Sequence, residues 1–217
     1  MAFFKKYSFL VETLINFLMF FVFMTKHRLA VDIDETLAST NLFWARHHLQ
    51  AYGNPEDLTA EGIIKKYGFV KDVPYWQIEE AHLWVEAHIH SNEAKLEIPV
   101  IEEAIVVMQD IPVVCYLTNR PSGTTDGTRK WLRKHGFPDR EIIASNNGIG
   151  WKARRLEEMF PDVTGIIDDN LGLLEYLEPD YKGRLFLYSH SKFKNNNLDV
   201  ILCPTWADIR REVYSKK

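Results

Sequence analysis

Two carboxylates stand two residues apart at the end of a short apolar run, and their spacing points to acid–base or metal chemistry. The run is RLAVDID, residues 28–34, and it contains Asp32 and Asp34. Because side chains alternate along a strand, both carboxylates are expected on the same side of the strand end. Two carboxylates this close repel each other unless a cation or a shared proton lies between them. Mg²⁺, a hard cation that prefers oxygen ligands, would relieve that repulsion.

Reactive side chains also end two later apolar runs and open one helical pattern. Thr118 ends IPVVCYLT, Asp168 and Asp169 follow VTGII, and Lys152 begins the helical pattern before them. Each feature alone has a structural explanation, since a carboxylate after a strand often caps the next helix. Ligands of open parallel sheets bind at the carboxyl ends of the strands. In this order, the residues are therefore expected to meet at one site.

The elements that must position these residues alternate along the chain. Apolar runs predict six strands, at residues 28–34, 111–118, 141–145, 163–168, 184–188 and 199–203. Helical patterns are expected at residues 100–109, 124–135, 151–160, 171–177 and 205–214, the last with Thr205 as its N-cap. Such alternation predicts an α/β fold, a Rossmann-like doubly wound parallel sheet with helices on both faces.

One stretch interrupts the alternation between the first and second strands. Residues 41–97 contain helical patterns at 41–52, 59–67 and 76–94, with many large aromatic residues. The chain is therefore expected to have an N-terminal hydrophobic segment at 1–26, a core at 27–40 and 98–217, and an all-helical insertion at 41–97. A length of 217 residues suits one core domain that carries an insertion.

The hydrophobic segment and the overall charge bear on partners. Three interpretations of residues 7–24 stay open: a signal anchor, an amphipathic or docking helix, or sequence ahead of a start at Met24. Membrane contact is expected only if this segment is an anchor, and the expected location is otherwise cytoplasmic. The formal net charge is −4, so no general surface for a nucleic acid polymer is expected.

The motifs resemble those of the haloacid dehalogenase superfamily. VDIDETLAS resembles the first motif, an apolar strand that ends in Asp-x-Asp-x-Thr/Val. VVCYLTNR resembles the second motif and GIIDDN the fourth, with a lysine between them for the third. The resemblance spans residues 28 to about 170. The matching residues are Asp32, Asp34, Thr36, Thr118, Lys152, Asp168 and Asp169.

The resemblance implies a Mg²⁺-dependent phosphohydrolase. It implies the strand order 5-4-1-2-3 and identifies the helical insertion as a C1-type cap. Asp32 is the implied nucleophile, which forms an aspartyl-phosphate, and Asp34 the implied general acid and base. The implied Mg²⁺ ligands are Asp32, the main-chain carbonyl of Asp34, and Asp168. The presence of Asp34 favours phosphoryl transfer over carbon–halogen cleavage, because dehalogenases of the superfamily lack it.

The implied phosphate-binding groups are Thr118, the N–H of Asn119, and Lys152. Asp169 is expected to orient Lys152 or a metal-bound water. The stretch LTNRPSGTTDGTRKWLRKHGFP is similar to the 5'(3')-deoxyribonucleotidase-like group, so a nucleotide or similar small phosphorylated substrate is expected.

The insertion offers candidates for substrate specificity. Trp44, Arg46 and His47 are candidates for setting the preference for the leaving group, although the aromatic residues of the insertion would equally form the insertion's own core. Two other functions stay open: a phosphosugar phosphatase or phosphotransferase on the same scaffold, and a catalytically silent phosphate-binding module.

Overall fold

Six parallel strands form the centre of the computed structural model, which describes residues 27–192 and 197–215. Their bounds in chain order are β1 Leu29–Val31, β2 Val113–Thr118, β3 Glu141–Ala144, β4 Gly165–Asp168, β5 Arg184–Tyr188 and β6 Asp199–Cys203. The order across the sheet is β3-β2-β1-β4-β5-β6, and every neighbouring pair is parallel. The predicted α/β class with a parallel sheet is confirmed.

The central strands are apolar because both faces of the sheet are covered. Every residue of β1 is fully buried; Leu29 and Val31 belong to one hydrophobic cluster and Ala30 to another. This alternation separates the cores on the two faces. Gly165 begins β4, and a Cβ there would lie 2.4 Å from the carbonyl oxygen of Arg184 on β5. A residue with a side chain would therefore push these two strands apart.

Helices cover the sheet on both faces. α5 (Glu102–Asp110), α6 (Thr125–Lys134) and α8 (Trp206–Val213) contribute to the cluster that contains Val31. α7 (Ile149–Glu158) and the 3₁₀ helix Leu171–Glu175 cover the other face. The predicted N-cap of the last helix is confirmed: Thr205 accepts a hydrogen bond from the N–H of Asp208, whose carboxylate accepts one from the N–H of Thr205.

Between β1 and the helix before β2 lies a helical segment, residues 40–95. It contains α1 (Thr40–Tyr52), α2 (Ala60–Tyr67), α3 (Glu79–Ile89) and α4 (Asn92–Lys95). Two 3₁₀ turns, Val70–Asp72 and Pro74–Trp76, join α2 to α3. No strand is present among residues 40–95, all of which the structure describes. The two connections to the sheet run side by side, since Ser39 N–H donates to the carbonyl oxygen of Pro99 at 2.8 Å.

The single helix predicted at 76–94 is wrong at both ends: α3 begins at Glu79 and ends at Ile89, and α4 is a separate helix. Ser91 caps α4 by accepting a hydrogen bond from the N–H of Ala94. α4 packs closely on α6: the N–H of Gly127 donates to Asn92 Oδ1 at 2.7 Å, and a Cβ on Gly127 would lie 2.3 Å from the carbonyl oxygen of Asn92. The end of the helical segment is therefore docked on the sheet domain.

The N-terminal hydrophobic segment, residues 1–26, lies outside the described residues. Among residues 27–192 and 197–215, no helix combines the length and apolarity needed to cross a membrane.

Candidate active site

The ends of β1, β2 and β4 bring the motif residues together. Asp32 follows β1 directly, and its N–H donates to the carbonyl oxygen of Ile167 on β4 at 2.9 Å. Thr118 is the last residue of β2 and Asp168 the last residue of β4; both are fully buried. The central position of β1 between β2 and β4 is what makes these three strand ends neighbours.

Lys152 forms ion pairs with carboxylates at the ends of two strands, β1 and β4. It lies in the first turn of α7 and is 1% exposed. Its Nζ lies 2.7 Å from Asp32 Oδ1 and 2.6 Å from Asp168 Oδ2. Burial by itself would lower the pKa of Lys152, but the attraction of Asp168 and Asp32 outweighs burial and raises it. The side chain is therefore a fixed ammonium ion between two carboxylates.

With the carboxylate of Asp169, the cluster contains three carboxyl groups around one lysine. Ligand atoms of Asp32, Asp168 and Asp169 lie within 4.8 Å of one another. Burial, together with neighbouring carboxylates, raises the pKa of Asp32 to about 7 and that of Asp169 to about 8. Lys152 compensates only part of this negative charge. An all-oxygen donor set with excess negative charge fits a hard divalent cation such as Mg²⁺.

Asp168 and Asp169 face different surroundings. Asp168 is fully buried, and its Oδ1 accepts the N–H of Asn170 at 2.8 Å while Oδ2 contacts Lys152. Asp169 accepts the hydroxyl of the buried Thr36 at 3.1 Å and lines the open cavity next to Asp32. Asp168 thus holds Lys152 and Asp169 lines the cavity, while ligand atoms of both belong to the same three-carboxylate cluster.

Asp34 is paired with Arg120, a residue that the sequence motifs did not single out. Arg120 Nη2 lies 2.7 Å from Asp34 Oδ1, and Nε lies 3.0 Å from Oδ2. Burial would raise the pKa of Asp34, but the guanidinium outweighs it and holds the pKa below its usual value. The signal for Arg120 was its place in LTNRP, two residues after Thr118 and at the carboxyl end of β2.

The surroundings of Arg120 hold it rigidly. The residue is 4% exposed, its Nη1 donates to Thr128 Oγ1 at 3.3 Å, and its guanidinium lies 5.7 Å from the ring centroid of Trp131. The main-chain N–H of Arg120 also donates to Thr118 Oγ1 at 3.2 Å. Arg120 therefore positions both Asp34 and the Thr118 hydroxyl.

Lys95 is a second buried cation that sequence reasoning missed. It is 3% exposed, and its Nζ donates to the carbonyl oxygen of Ile89 at 2.7 Å, at the carboxyl end of α3. Burial and the nearby charge of Arg120 lower the pKa of Lys95 to about 8, against the attraction of Asp34. Lys95 thus bonds to the main chain between α3 and α4 and interacts electrostatically with Arg120 and Asp34.

A cavity of about 210 Å³, here called the aspartate cavity, opens in front of these residues. Five of the predicted site residues line it, while Thr118 and Asp168 are fully buried and are not among its lining residues. The helical segment supplies three further side chains to the lining. The lining residues are Asp32, Asp34, Glu35, Thr40, Asn41, Phe69, Asn119, Lys152, Asp169 and Asn170.

The three predicted specificity residues lie outside the lining of the aspartate cavity. Trp44 is 8% exposed and packs edge-on against Trp84 at 5.6 Å between ring centroids. Arg46 forms an exposed ion pair with Glu61 at 2.8 Å. His47 also packs on Trp84, at 4.9 Å. Their role in specificity stays a prediction.

Comparison by sequence finds no matching family model and no matching curated protein. Comparison by structure finds similar folds. One is YfnB, a HAD hydrolase of Bacillus subtilis bound to magnesium: the TM-score is 0.52 at 14% identity, covering 87% of this chain and 99% of that one. Another is L-2-haloacid dehalogenase of Xanthobacter autotrophicus with chloropropionic acid covalently bound. Its TM-score is 0.55 at 10% identity, and the match covers 88% of this chain and 99% of that one. The chain thus has the fold of the haloacid dehalogenase-type hydrolases.

Proposed function

We propose that this chain is a Mg²⁺-dependent hydrolase of small phosphomonoesters that works through an aspartyl-phosphate on Asp32, with a nucleotide or a similar compound as its substrate. The observation that carries the proposal is the contact of the Lys152 ammonium with Asp32 and Asp168, beside Asp169 and at the wall of the aspartate cavity. A nucleophilic carboxylate, a fixed cation and a cluster of oxygen ligands are the groups that phosphoryl transfer requires.

In the first step, Asp32 attacks the phosphorus atom. Its Oδ1 contacts Lys152, which leaves Oδ2 to form the new bond to phosphorus. Arg120 holds the pKa of Asp34 low in the free protein, so Asp34 takes up its proton when the negatively charged phosphate lies beside it. The bond from phosphorus to the leaving oxygen then breaks, and that oxygen takes this proton from Asp34. Lys152 and the main-chain N–H of Asn119 offset the negative charge on the phosphoryl oxygens.

In the second step, Asp34 acts as a base. It removes a proton from water, and the water oxygen attacks the phosphorus atom of the aspartyl-phosphate. The bond between Asp32 and phosphorus breaks, which releases inorganic phosphate and restores the carboxylate. Arg120 keeps the Asp34 carboxylate aimed at this water through two nitrogen contacts.

The donor set supports a role for Mg²⁺. Asp32 and Asp169 face the cavity and would hold the ion, with the main-chain carbonyl of Asp34 and the carboxylate of Asp168 as further candidates. When bound, Mg²⁺ offsets the repulsion between the carboxylates and the phosphate and polarises the phosphoryl group. We further propose that Asp168 acts mainly by holding Lys152, because its Oδ2 contacts that ammonium.

A dehalogenase shares this fold, so the fold by itself does not choose between the two chemistries. Asp34 favours phosphoryl transfer. A halide leaves as a stable anion and needs no proton, whereas an alcohol leaves readily only when an acid protonates it. A carboxyl group held at the cavity wall by Arg120 can protonate a leaving alcohol, as hydrolysis of a phosphomonoester needs, and has no task in the release of a halide.

The proposed cap is the helical segment, because Thr40, Asn41 and Phe69 line the aspartate cavity. A lid of this kind excludes bulk water from the aspartyl-phosphate until the second step.

The test is release of inorganic phosphate from phenyl phosphate, with Mg²⁺ and with EDTA. Wild-type protein should release phosphate only with Mg²⁺, and Asp32→Asn should be inactive although folded. Asp57→Asn is the matched control, because Asp57 is exposed and its positive φ of 52° suits Asn. Equal activity of Asp32→Asn and Asp57→Asn would refute the proposal. Adding an alcohol acceptor and analysing the products separates hydrolysis from phosphotransfer.

A further inference from the structure

A second cavity lies directly beside the aspartate cavity, inside the helical segment. Its volume is about 390 Å³. Asn41 and Phe69 line both cavities, so the two spaces adjoin across these side chains. We call the second space the aromatic pocket, and its characteristic walls are Trp44, His48, Phe69, Trp76, Val85 and Ile89.

The aromatic pocket offers little to a charged ligand. Its only Lys, Arg, Asp or Glu residues are Lys71 and Glu86, which carry opposite charges. His48 is 2% exposed; burial lowers its pKa, and its Nδ1 lies 2.9 Å from the carbonyl oxygen of Trp44. This pocket therefore lacks the cluster of cations that a second phosphate or a carboxylate would need.

Phe69 differs from the other aromatic walls. Trp76 is 1% exposed and donates its indole N–H to the carbonyl oxygen of Gly53 at 2.9 Å, so it holds the helical segment together. Trp44 is likewise buried. Phe69 is 47% exposed and stands at the junction of the two cavities. A large exposed ring at such a junction is available to a ligand.

We propose that the aromatic pocket receives the leaving group of the substrate and that Phe69 selects an uncharged aromatic group there. This inference rests on the proposed phosphohydrolase function, since the phosphate must occupy the aspartate cavity. The pocket volume lies within the range of about 300–1,000 Å³ typical of small-molecule sites. Trp44, Phe69 and Trp76 offer an aromatic ring flat apolar surfaces to pack on. A sugar would gain little from these surfaces and would depend on the polar side chains of the lining, which are Asn41, Lys71, Gln77, His82 and Glu86.

The test compares substrates whose leaving groups have similar acidity. 2-Naphthyl phosphate is paired with phenyl phosphate, and 2-phenylethyl phosphate with glucose 6-phosphate. The second ring of naphthyl should raise kcat/KM about tenfold, the gain expected when an apolar pocket buries the added ring. 2-Phenylethyl phosphate should exceed glucose 6-phosphate. In Phe69→Ala the naphthyl-to-phenyl ratio should fall towards one.

The control variant is Leu83→Ala, since Leu83 is 63% exposed on α3 and lies outside the lining of both cavities. It should keep the wild-type ratio. Phe69→Leu, which keeps an apolar side chain without the flat ring, replaces Phe69→Ala if the latter unfolds. An unchanged ratio in the Phe69 variant, or a preference for glucose 6-phosphate, would overturn the inference.

A binding measurement separates this inference from the proposed function. Calorimetry with Asp32→Asn protein gives the affinities of 2-naphthyl and phenyl phosphate without turnover. Tighter binding of the naphthyl compound that is lost in the Asp32→Asn, Phe69→Ala double variant supports the pocket even if no hydrolysis occurs. Equal affinities overturn the pocket even if hydrolysis does occur.

Discussion

The guanidinium of Arg120 donates two hydrogen bonds to the carboxylate of Asp34, from Nη2 at 2.7 Å and from Nε at 3.0 Å, and Arg120 is only 4% exposed. The pairing joins residues 86 positions apart in the chain. Thr128 and Trp131 also contact the guanidinium. This geometry makes Arg120 the residue that positions the proposed general acid and base.

Arg120→Lys should lower kcat by at least about tenfold, because a lysine ammonium cannot reproduce the bidentate geometry. It should also raise the pKa of Asp34, which the guanidinium holds low. The limb of the pH–rate profile that reports Asp34 should therefore move to higher pH. The control is Arg133→Lys, an exposed arginine paired with the exposed Asp139. Identical pH profiles in both variants would show that Arg120 is merely structural.

The comparison of Arg120 with Asp32 shows what the sequence could predict. Asp32, Thr118 and Asp168 were predictable because each ends an apolar strand, and parallel strands place their carboxyl ends at one edge. The role of Arg120 depends on a contact across 86 residues, which local patterns do not encode. Its position in LTNRP marked it as close to the site without indicating its partner.

Asp168 and Asp169 show a finer limit. Alternation predicts that adjacent residues point in different directions, but which of them meets the cavity depends on how the chain leaves β4. The sequence also could not predict which side chains of α1 face the cavities. Arg46 pairs with Glu61 on the surface, and the ring that stands between the two cavities is Phe69, in the connection after α2. Packing of helices on the sheet decides these positions.

Asp169→Asn should raise the Mg²⁺ concentration for half-maximal activity by at least about tenfold, because Asp169 lines the cavity beside Asp32. Asp168→Asn should mainly lower kcat at saturating Mg²⁺, because it removes the carboxylate that holds Lys152 at 2.6 Å. Magnesium titrations of phosphate release measure both quantities. The reverse assignment, with the larger Mg²⁺ effect in Asp168→Asn, would make Asp168 the ligand that faces the ion.

Metal-free protein should become less stable as pH rises through neutrality. Folding raises the pKa of Asp32 from 3.8 to about 7 and that of Asp169 from 3.8 to about 8. For a carboxyl whose pKa is raised, the stabilisation is complete below the unfolded value and is lost as pH rises through the folded value. The melting temperature should therefore fall between about pH 5 and about pH 8.5.

Mg²⁺ should reverse this trend, because it binds the carboxylates that the higher pH has ionised. The rise in melting temperature on adding Mg²⁺ should be larger at about pH 8.5 than at about pH 5. Thermal unfolding with Mg²⁺ and with EDTA at both pH values measures this difference. An equal Mg²⁺ effect at both values would argue against an ion held by these carboxylates.

Gly127→Ala should destabilise the protein by about 1–3 kcal/mol, the usual cost of forcing extra volume into a packed contact. The new Cβ would lie 2.3 Å from the carbonyl oxygen of Asn92, so α4 would have to move away from α6. Gly123→Ala is the control, because a Cβ there meets no atom within 4 Å. Urea unfolding of the two variants compares the costs. Equal stability would mean that α4 is not docked on α6 in solution.

The central claim is that Asp32 bonds to phosphorus, and a beryllium fluoride adduct tests it most directly. Beryllium fluoride bonds to a nucleophilic carboxylate and imitates the aspartyl-phosphate. A crystal structure of the protein with Mg²⁺ and beryllium fluoride should show beryllium bonded to an Asp32 carboxylate oxygen, with Lys152 beside the fluorides. Beryllium bonded to any other side chain would contradict the account.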